Sequence, residues 1–148
     1  MQTTTATGTA TETIKSLLQG EMSAVETYEK ALTKVNGEPE GTHLHQICAD
    51  HTQAASLLRD LLIRHNGDMP SSSGMWGTFA NAVQATANLL GDAAALKTLK
   101  EGEEHGIKDY EAALNNPNVT EDVKAVTRDL RMRCEAHLPV LDALIDRQ

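Results

Sequence analysis

Aromatic residues make up only 3% of the chain, and no segment is rich in β-forming residues. A sheet sandwich therefore finds no support, whereas Ala, Leu and Glu recurring at helical spacing favour helix packing. Basic residues are also outnumbered: 13 Lys and Arg face 21 Asp and Glu, a formal charge of -8. Binding a nucleic-acid backbone needs clustered cations, so nucleic acid is not an expected partner. No apolar run is long enough to cross a bilayer, and residues 1–10 lack the basic start and apolar stretch of a signal peptide. The expectation is a cytoplasmic protein without a membrane partner. Neither Gly-x-Ser-x-Gly nor Gly-x-Gly-x-x-Gly occurs, which removes two common enzyme classes and leaves open whether the chain is an enzyme.

With 148 residues, one domain is expected, with residues 1–10 as a disordered tail and residues 11–148 as the folded unit. Ile14, Leu17, Leu18, Val25, Tyr28 and Leu32 fall on one face of a helix starting near Thr11 and stopping at Asn36-Gly37. A second helix begins around Pro39, buries Leu44, Ile47, Ala54, Leu58, Leu61 and Leu62, and ends at Asn66-Gly67. A Ser-rich linker over 68–74 leads to a connecting helix carrying Trp76, Phe79, Val83, Leu89 and Leu90. Asp92 reads as the N-cap of the next long helix, which reaches Asn115-Asn116-Pro117. The last helix starts near Asn118 or Thr120 and contains Pro139, expected to kink it.

An internal repeat organises these helices. Gly20, Glu21, Val25, Tyr28, Glu29, Ala31 and Leu32 reappear 82 positions later as Gly102, Glu103, Ile107, Tyr110, Glu111, Ala113 and Leu114. Leu44, Cys48, His51, Leu58 and Asp60 reappear 86 positions later as Leu130, Cys134, His137, Leu144 and Asp146. Two copies of a helical hairpin can share one core about an approximate two-fold axis, with the 67–91 segment crossing between them. The fold expected is all-α, a ferritin-like four-helix bundle of two repeated hairpins with an extra helix in the crossover. The alternative is a sequential up-down-up-down bundle in which residues 75–114 form one kinked helix.

Four ionisable groups point along the buried stripes. Glu21 lies four residues from both Leu17 and Val25, and Glu103 four from both Leu99 and Ile107. His51 lies between Ile47 and Ala55, and His137 between Arg133 and Leu141. Burying two carboxylates and two imidazoles costs several kcal/mol unless they are paired, hydrogen-bonded or bound to a cation. Glu and His suit iron, manganese or zinc, and one contribution from each of four helices is a recurrent way to build a metal site in a bundle. Tyr28 and Tyr110 are expected as core aromatics whose hydroxyls meet the opposing carboxylates. Glu104 and His105 fall off the inward stripe, and His43, His45 and His65 look peripheral. Gly102 and Gly106 share a face, which suits close helix approach or local bending.

The segment from Gly20 to Tyr28, Gly-Glu-Met-Ser-Ala-Val-Glu-Thr-Tyr, resembles the first-helix motif of rubrerythrins, and Gly102-Glu103 to Tyr110 repeats it. That resemblance implies a metal-ligating Glu followed seven residues later by a supporting Tyr. From Ile14 onward the chain also resembles an uncharacterised bacterial family of ferritin-like four-helix proteins, notably in Glu101-Gly102-Glu103-Glu104-His105-Gly106 and Asp109-Tyr110-Glu111. This second resemblance implies a fold but no activity. Di-iron members of the superfamily carry Glu-x-x-His on their second and fourth helices, where this chain has Cys48-Ala49-Asp50-His51 and Cys134-Glu135-Ala136-His137.

Thiols thus replace the bridging carboxylates, and standard ferroxidase chemistry is expected to be impaired. Three readings follow: a (di)metal site of Glu21, His51, Glu103 and His137 with or without the thiols; a Cys2His2 zinc site of Cys48, His51, Cys134 and His137; or groups that simply satisfy one another. A Cys48–Cys134 disulfide is a further geometric option. The functional alternatives are a metal-dependent protein handling iron, oxygen or peroxide, and a bundle with a vestigial site serving assembly or partner binding. Symmetric self-association is expected of either.

Overall fold

The computed structural model describes residues 2–72 and 90–148, with side chains described from Ala10 onward. Four long helices account for most of it: α1 (Gln2–Leu32), α2 (Glu40–Arg64), α3 (Asp92–Leu114) and α4 (Glu121–Asp146). No strand occurs among the described residues, and the fold is an all-α four-helix bundle. No helix among them is long and apolar enough to cross a membrane.

The helices form because their apolar residues recur every third or fourth position. In α2, Leu44, Ile47, Ala54, Leu58, Leu61 and Leu62 are all buried. The same spacing buries Ile14, Leu17 and Leu18 in α1, Leu96 and Leu99 in α3, and Leu130, Leu141 and Leu144 in α4. These residues make two apolar cores. One gathers Ile14, Leu18, Leu58, Leu62, Val123 and Leu130. The other gathers Val35, Leu44, Leu96, Leu99, Leu141 and Leu144.

Helix order follows from the contacts. α1 packs most extensively on α2, and α3 on α4; the other neighbouring pairs are α1 with α3 and α2 with α4. Tyr28 reaches Glu103 while Tyr110 reaches Glu21, so α1 and α3 are antiparallel. Asp50 meets His137, Gln53 meets Arg133 and His65 meets Asp122, so α2 and α4 are antiparallel too. Because α1 is antiparallel to both α2 and α3, those two run in the same direction on opposite corners. A sequential up-down-up-down bundle would instead make α2 and α3 antiparallel neighbours, so the crossover arrangement expected from the repeat is the one observed.

Several boundaries differ from expectation. α1 begins at Gln2, not near Thr11, so residues 2–10, expected as a disordered tail, lie within a helix. That segment is Thr- and Ala-rich with a single Gly8 and no proline, so nothing in it forces a stop. The N-cap of α3 is Gly91, not Asp92: its φ of 88° is a conformation only glycine adopts without strain, and Asp92 instead faces the helix dipole from the first turn. Pro139 sits inside α4 without ending it. Of the expected connecting helix, Trp76, Phe79, Val83 and Leu89 lie outside the described residues, whereas Leu90 is exposed.

The end of α2 shows why Asn-Gly is written there. Asn66 takes the left-handed conformation at φ 58°, and the Gly67 amide donates to the Leu62 carbonyl at 3.0 Å. A Cβ on Gly67 would lie 2.2 Å from Leu62 Cδ1 and 3.0 Å from its Cγ, and Leu62 is itself fully buried. Gly67→Ala is therefore expected to cost about 1–3 kcal/mol through overpacking. Urea unfolding measures this, and an unchanged midpoint would show that Leu62 has room to move.

Candidate metal centre

Between the two apolar cores lies a layer of polar side chains, one drawn from each helix. Glu21 comes from α1, His51 from α2, Glu103 from α3 and His137 from α4, and none is more than 4% exposed. All four expected residues are thus brought together at the bundle centre.

They are joined as a chain of alternating charge. His51 Nδ1 lies 2.5 Å from Glu21 Oε2, and its Nε2 lies 2.7 Å from Glu103 Oε1. His137 continues the chain, with Nδ1 3.2 Å from Glu103 Oε1 and Nε2 2.8 Å from Asp50 Oδ2. Tyr28 donates its hydroxyl to Glu103 Oε1 at 2.7 Å, and Tyr110 donates to Glu21 Oε1. The His51 ring also stacks on Tyr28, with centroids 5.4 Å apart. The tyrosines therefore support the opposing carboxylates, each hairpin's Tyr serving the other hairpin's Glu.

The approximate two-fold is broken at one point. His51 bridges both glutamates, whereas His137 reaches only Glu103 and turns its second nitrogen outward to Asp50. Asp50 was not anticipated as part of the site. It lies one residue before His51, off the inward stripe, and its repeat counterpart is Ala136; that Asp/Ala difference is the only trace in the sequence. Half of its side chain is exposed, so it connects the buried chain to solvent.

Three groups converge on Glu103 Oε1, while Glu103 Oε2 is buried with no hydrogen-bond partner among the described residues. A buried carboxylate oxygen left unsatisfied costs free energy that a nearby cation would recover. His51, Glu103 and His137 each offer a ligand atom, and these atoms lie within 4.8 Å of one another. Two imidazoles and a carboxylate form a donor set suited to a borderline divalent ion, so the residues present can hold a metal.

Electrostatics follow from burial and pairing. Burial pulls the His51 pKa down, but the Glu21 and Glu103 carboxylates prevail and hold it well above the ordinary 6.5. His137 is raised likewise: burial opposes its charge, while Glu103 and then Asp50 favour it. Burial pushes the Glu103 carboxyl up, yet the two imidazoles override this and hold it far below the usual carboxylate range. Burial and the adjacent carboxylates push Tyr28 and Tyr110 up, which keeps both hydroxyls as donors.

The cysteines stand differently toward this group: Cys48 lies apart from it, whereas the Cys134 thiol faces Glu103 and Glu21 from the edge of the layer. Cys48 and Cys134 are both free, which corrects the disulfide option. Cys134 is buried in one apolar core, and Cys48 packs against the other with Sγ 3.9 Å from the Val25 carbonyl oxygen. Burial, reinforced by Glu103 and Glu21, pushes the Cys134 thiol far up, and burial with Glu29 raises Cys48. The grouping the geometry assembles joins the two histidines to Glu103, with neither thiol among its three ligand atoms. Glu104 and His105 are exposed as expected, and His65 pairs with Asp122 at the end of the bundle.

A cavity of about 400 Å³ opens between α1 and α3, with Glu21, His51 and Glu103 among its lining residues. No curated protein and no solved structure matches the chain. A family model does match, over residues 9–116, a span that contains Glu21, His51 and Glu103 and stops before α4. That span covers well over half the sequence, and the chain belongs to the family described as a domain of unknown function, DUF2383.

Proposed function

We propose that this protein binds a metal ion in the polar layer of its bundle, held by His51, Glu103 and His137, with Glu21 supporting the site through His51. The observation that carries the reading is Glu103 Oε2, a buried carboxylate oxygen without a hydrogen-bond partner among the described residues, on a side chain beside two imidazoles. Iron is the metal favoured by the resemblance to rubrerythrins, with zinc and manganese compatible with the same donors. Bound iron would supply one-electron chemistry toward oxygen or peroxide, which is the metal-handling role we assign to the chain.

The protein's own residues prepare that centre. Tyr28 and Tyr110 fix the two carboxylates, and Asp50 orients His137 through its Nε2. In the metal-free chain the imidazoles carry protons that a cation must displace, and the half-exposed Asp50 gives the His137 proton a way out. With thiols standing where bridging carboxylates would be, the group at hand suffices for one ion, not two.

A second reading has an observation of its own: both nitrogens of His51 already face carboxylates at 2.5 and 2.7 Å. A network so paired can persist without metal, as a structural layer in a bundle that serves assembly or partner binding. Elemental analysis of protein purified without chelators separates the two. The metal reading expects near-stoichiometric ion in the wild type and in a Cys48→Ser, Cys134→Ser double variant, and little in Glu103→Ala or His137→Ala. Wild-type protein that is metal-free and cannot be reconstituted would establish the structural reading instead.

A further inference from the structure

The cavity between α1 and α3 is larger than a single ion requires, and its volume of about 400 Å³ is in the range of small-molecule sites. Its walls are apolar and small: Leu17, Ala24 and Leu99, with Gly20, Gly102 and Gly106. Glycine inside a helix is less stable than alanine and is usually retained for close packing or an unusual backbone angle. Neither explanation applies to Gly20 or Gly106. Among the described residues a Cβ built on either meets nothing within 4 Å, and both lie within regular helix. What larger side chains at these positions would do is fill the cavity.

Charge selects the occupant. Glu21 and Glu103 lie on the lining at the buried end, and the more exposed Glu101 and Asp109 add two carboxylates, Asp109 lying 3.7 Å from His105. Among the described residues no Lys or Arg lines the cavity. His51 between Glu21 and Glu103, and His105 beside Asp109, offset part of the carboxylate charge. Four carboxylates against two imidazoles still leave an acidic excess, which with apolar walls disfavours anions and favours a hydrocarbon body bearing a positive charge. The unpartnered Glu103 Oε2 belongs to this same buried end.

We propose that the α1–α3 cavity is a binding site for a small organic cation, an ammonium group on a compact apolar body, kept open by Gly20 and Gly106. The site shares Glu21, His51 and Glu103 with the polar layer, so it is tested on metal-free protein, where its failure is distinct from a failure of the metal reading.

Three probes of one size test it: benzylammonium, benzyl alcohol and benzoate, titrated into chelator-treated full-length protein by calorimetry at neutral pH. The ammonium should saturate and bind roughly tenfold or more tightly than the alcohol, with no measurable benzoate binding. Gly20→Leu and Gly106→Leu should each weaken the ammonium by at least about tenfold while the melting temperature stays level or rises. A Glu101→Gln, Asp109→Asn double variant, altered only toward the surface, should weaken it several-fold and narrow its preference over the alcohol. Equal binding of benzoate would overturn the proposal, as would the absence of saturable ammonium binding or full affinity in folded glycine variants.

Discussion

Replacing Glu103 by alanine is expected to destabilise the metal-free protein by about 3–5 kcal/mol, the largest effect of any single polar substitution among the described residues. The side chain accepts from Tyr28, His51 and His137 at one oxygen, and all three are buried. Its removal leaves two imidazoles and a phenol facing a void, and uncompensated buried charge is among the few causes of losses this large. Glu21→Ala should cost less, because it strips a partner from only His51 and Tyr110. Glu104→Ala, next in sequence but exposed, should stay within about 0.5 kcal/mol of wild type. Urea unfolding at neutral pH ranks the three. A Glu103→Ala loss no larger than that of Glu104→Ala would show that the polar layer carries no net energy.

The alkaline loss of stability should disappear when metal binds. In the metal-free protein the His51 and His137 pKa values are raised on folding, so their contribution is fully present below the ordinary value of 6.5. It is lost as pH rises through the folded values. Glu103 behaves oppositely: its folded value is depressed, so its contribution is present above 4.5 and lost as pH falls toward the folded value. Metal-free protein should therefore lose stability on both sides of a plateau. On the alkaline side the loss approaches about 1.4 kcal/mol per pH unit for each proton released. With metal in excess, deprotonated imidazoles are the ligands, and above about 6.5 the unfolded imidazoles are deprotonated as well, so stability should instead stay level across that same alkaline limb and rise with pH only below it. Melting curves from pH 5 to 10 with chelator and with added iron or zinc make the comparison. Parallel curves would show that the ion does not bind at these histidines.

Much of the bundle was legible because helical periodicity is local. Leu44, Ile47, Ala54, Leu58, Leu61 and Leu62 of α2 are buried as their spacing requires. The repeat added what periodicity cannot, the approximate two-fold by which Tyr28 meets Glu103 and Tyr110 meets Glu21. Four of the central residues were identifiable because ionisable groups on an apolar stripe need compensation inside. Asp50 was not, because its role depends on the register of α2 against α4, a relation between helices that spacing within one helix does not encode. The cysteines show the converse limit. Their spacing from His51 and His137 suits ligation, but ligation also requires the thiol to lie near the other donors, and the three ligand atoms that converge come from His51, Glu103 and His137. Gly106 was open to two packing explanations, close approach or bending, and among the described residues there is neither a close neighbour nor a break in α3.

What distinguishes this centre from a generic buried ion pair is its asymmetry. His51 is held between two carboxylates in the core, while His137 is tied through Asp50 to the surface, so the two halves of the repeat have taken different roles around one shared glutamate. Anomalous X-ray diffraction from crystals grown with iron or zinc addresses the central claim most directly. An ion peak within bonding distance of His51, Glu103 and His137, with neither sulfur coordinated, is the outcome expected. No peak in that layer at saturating metal, or one bound by Cys48 or Cys134, would contradict it.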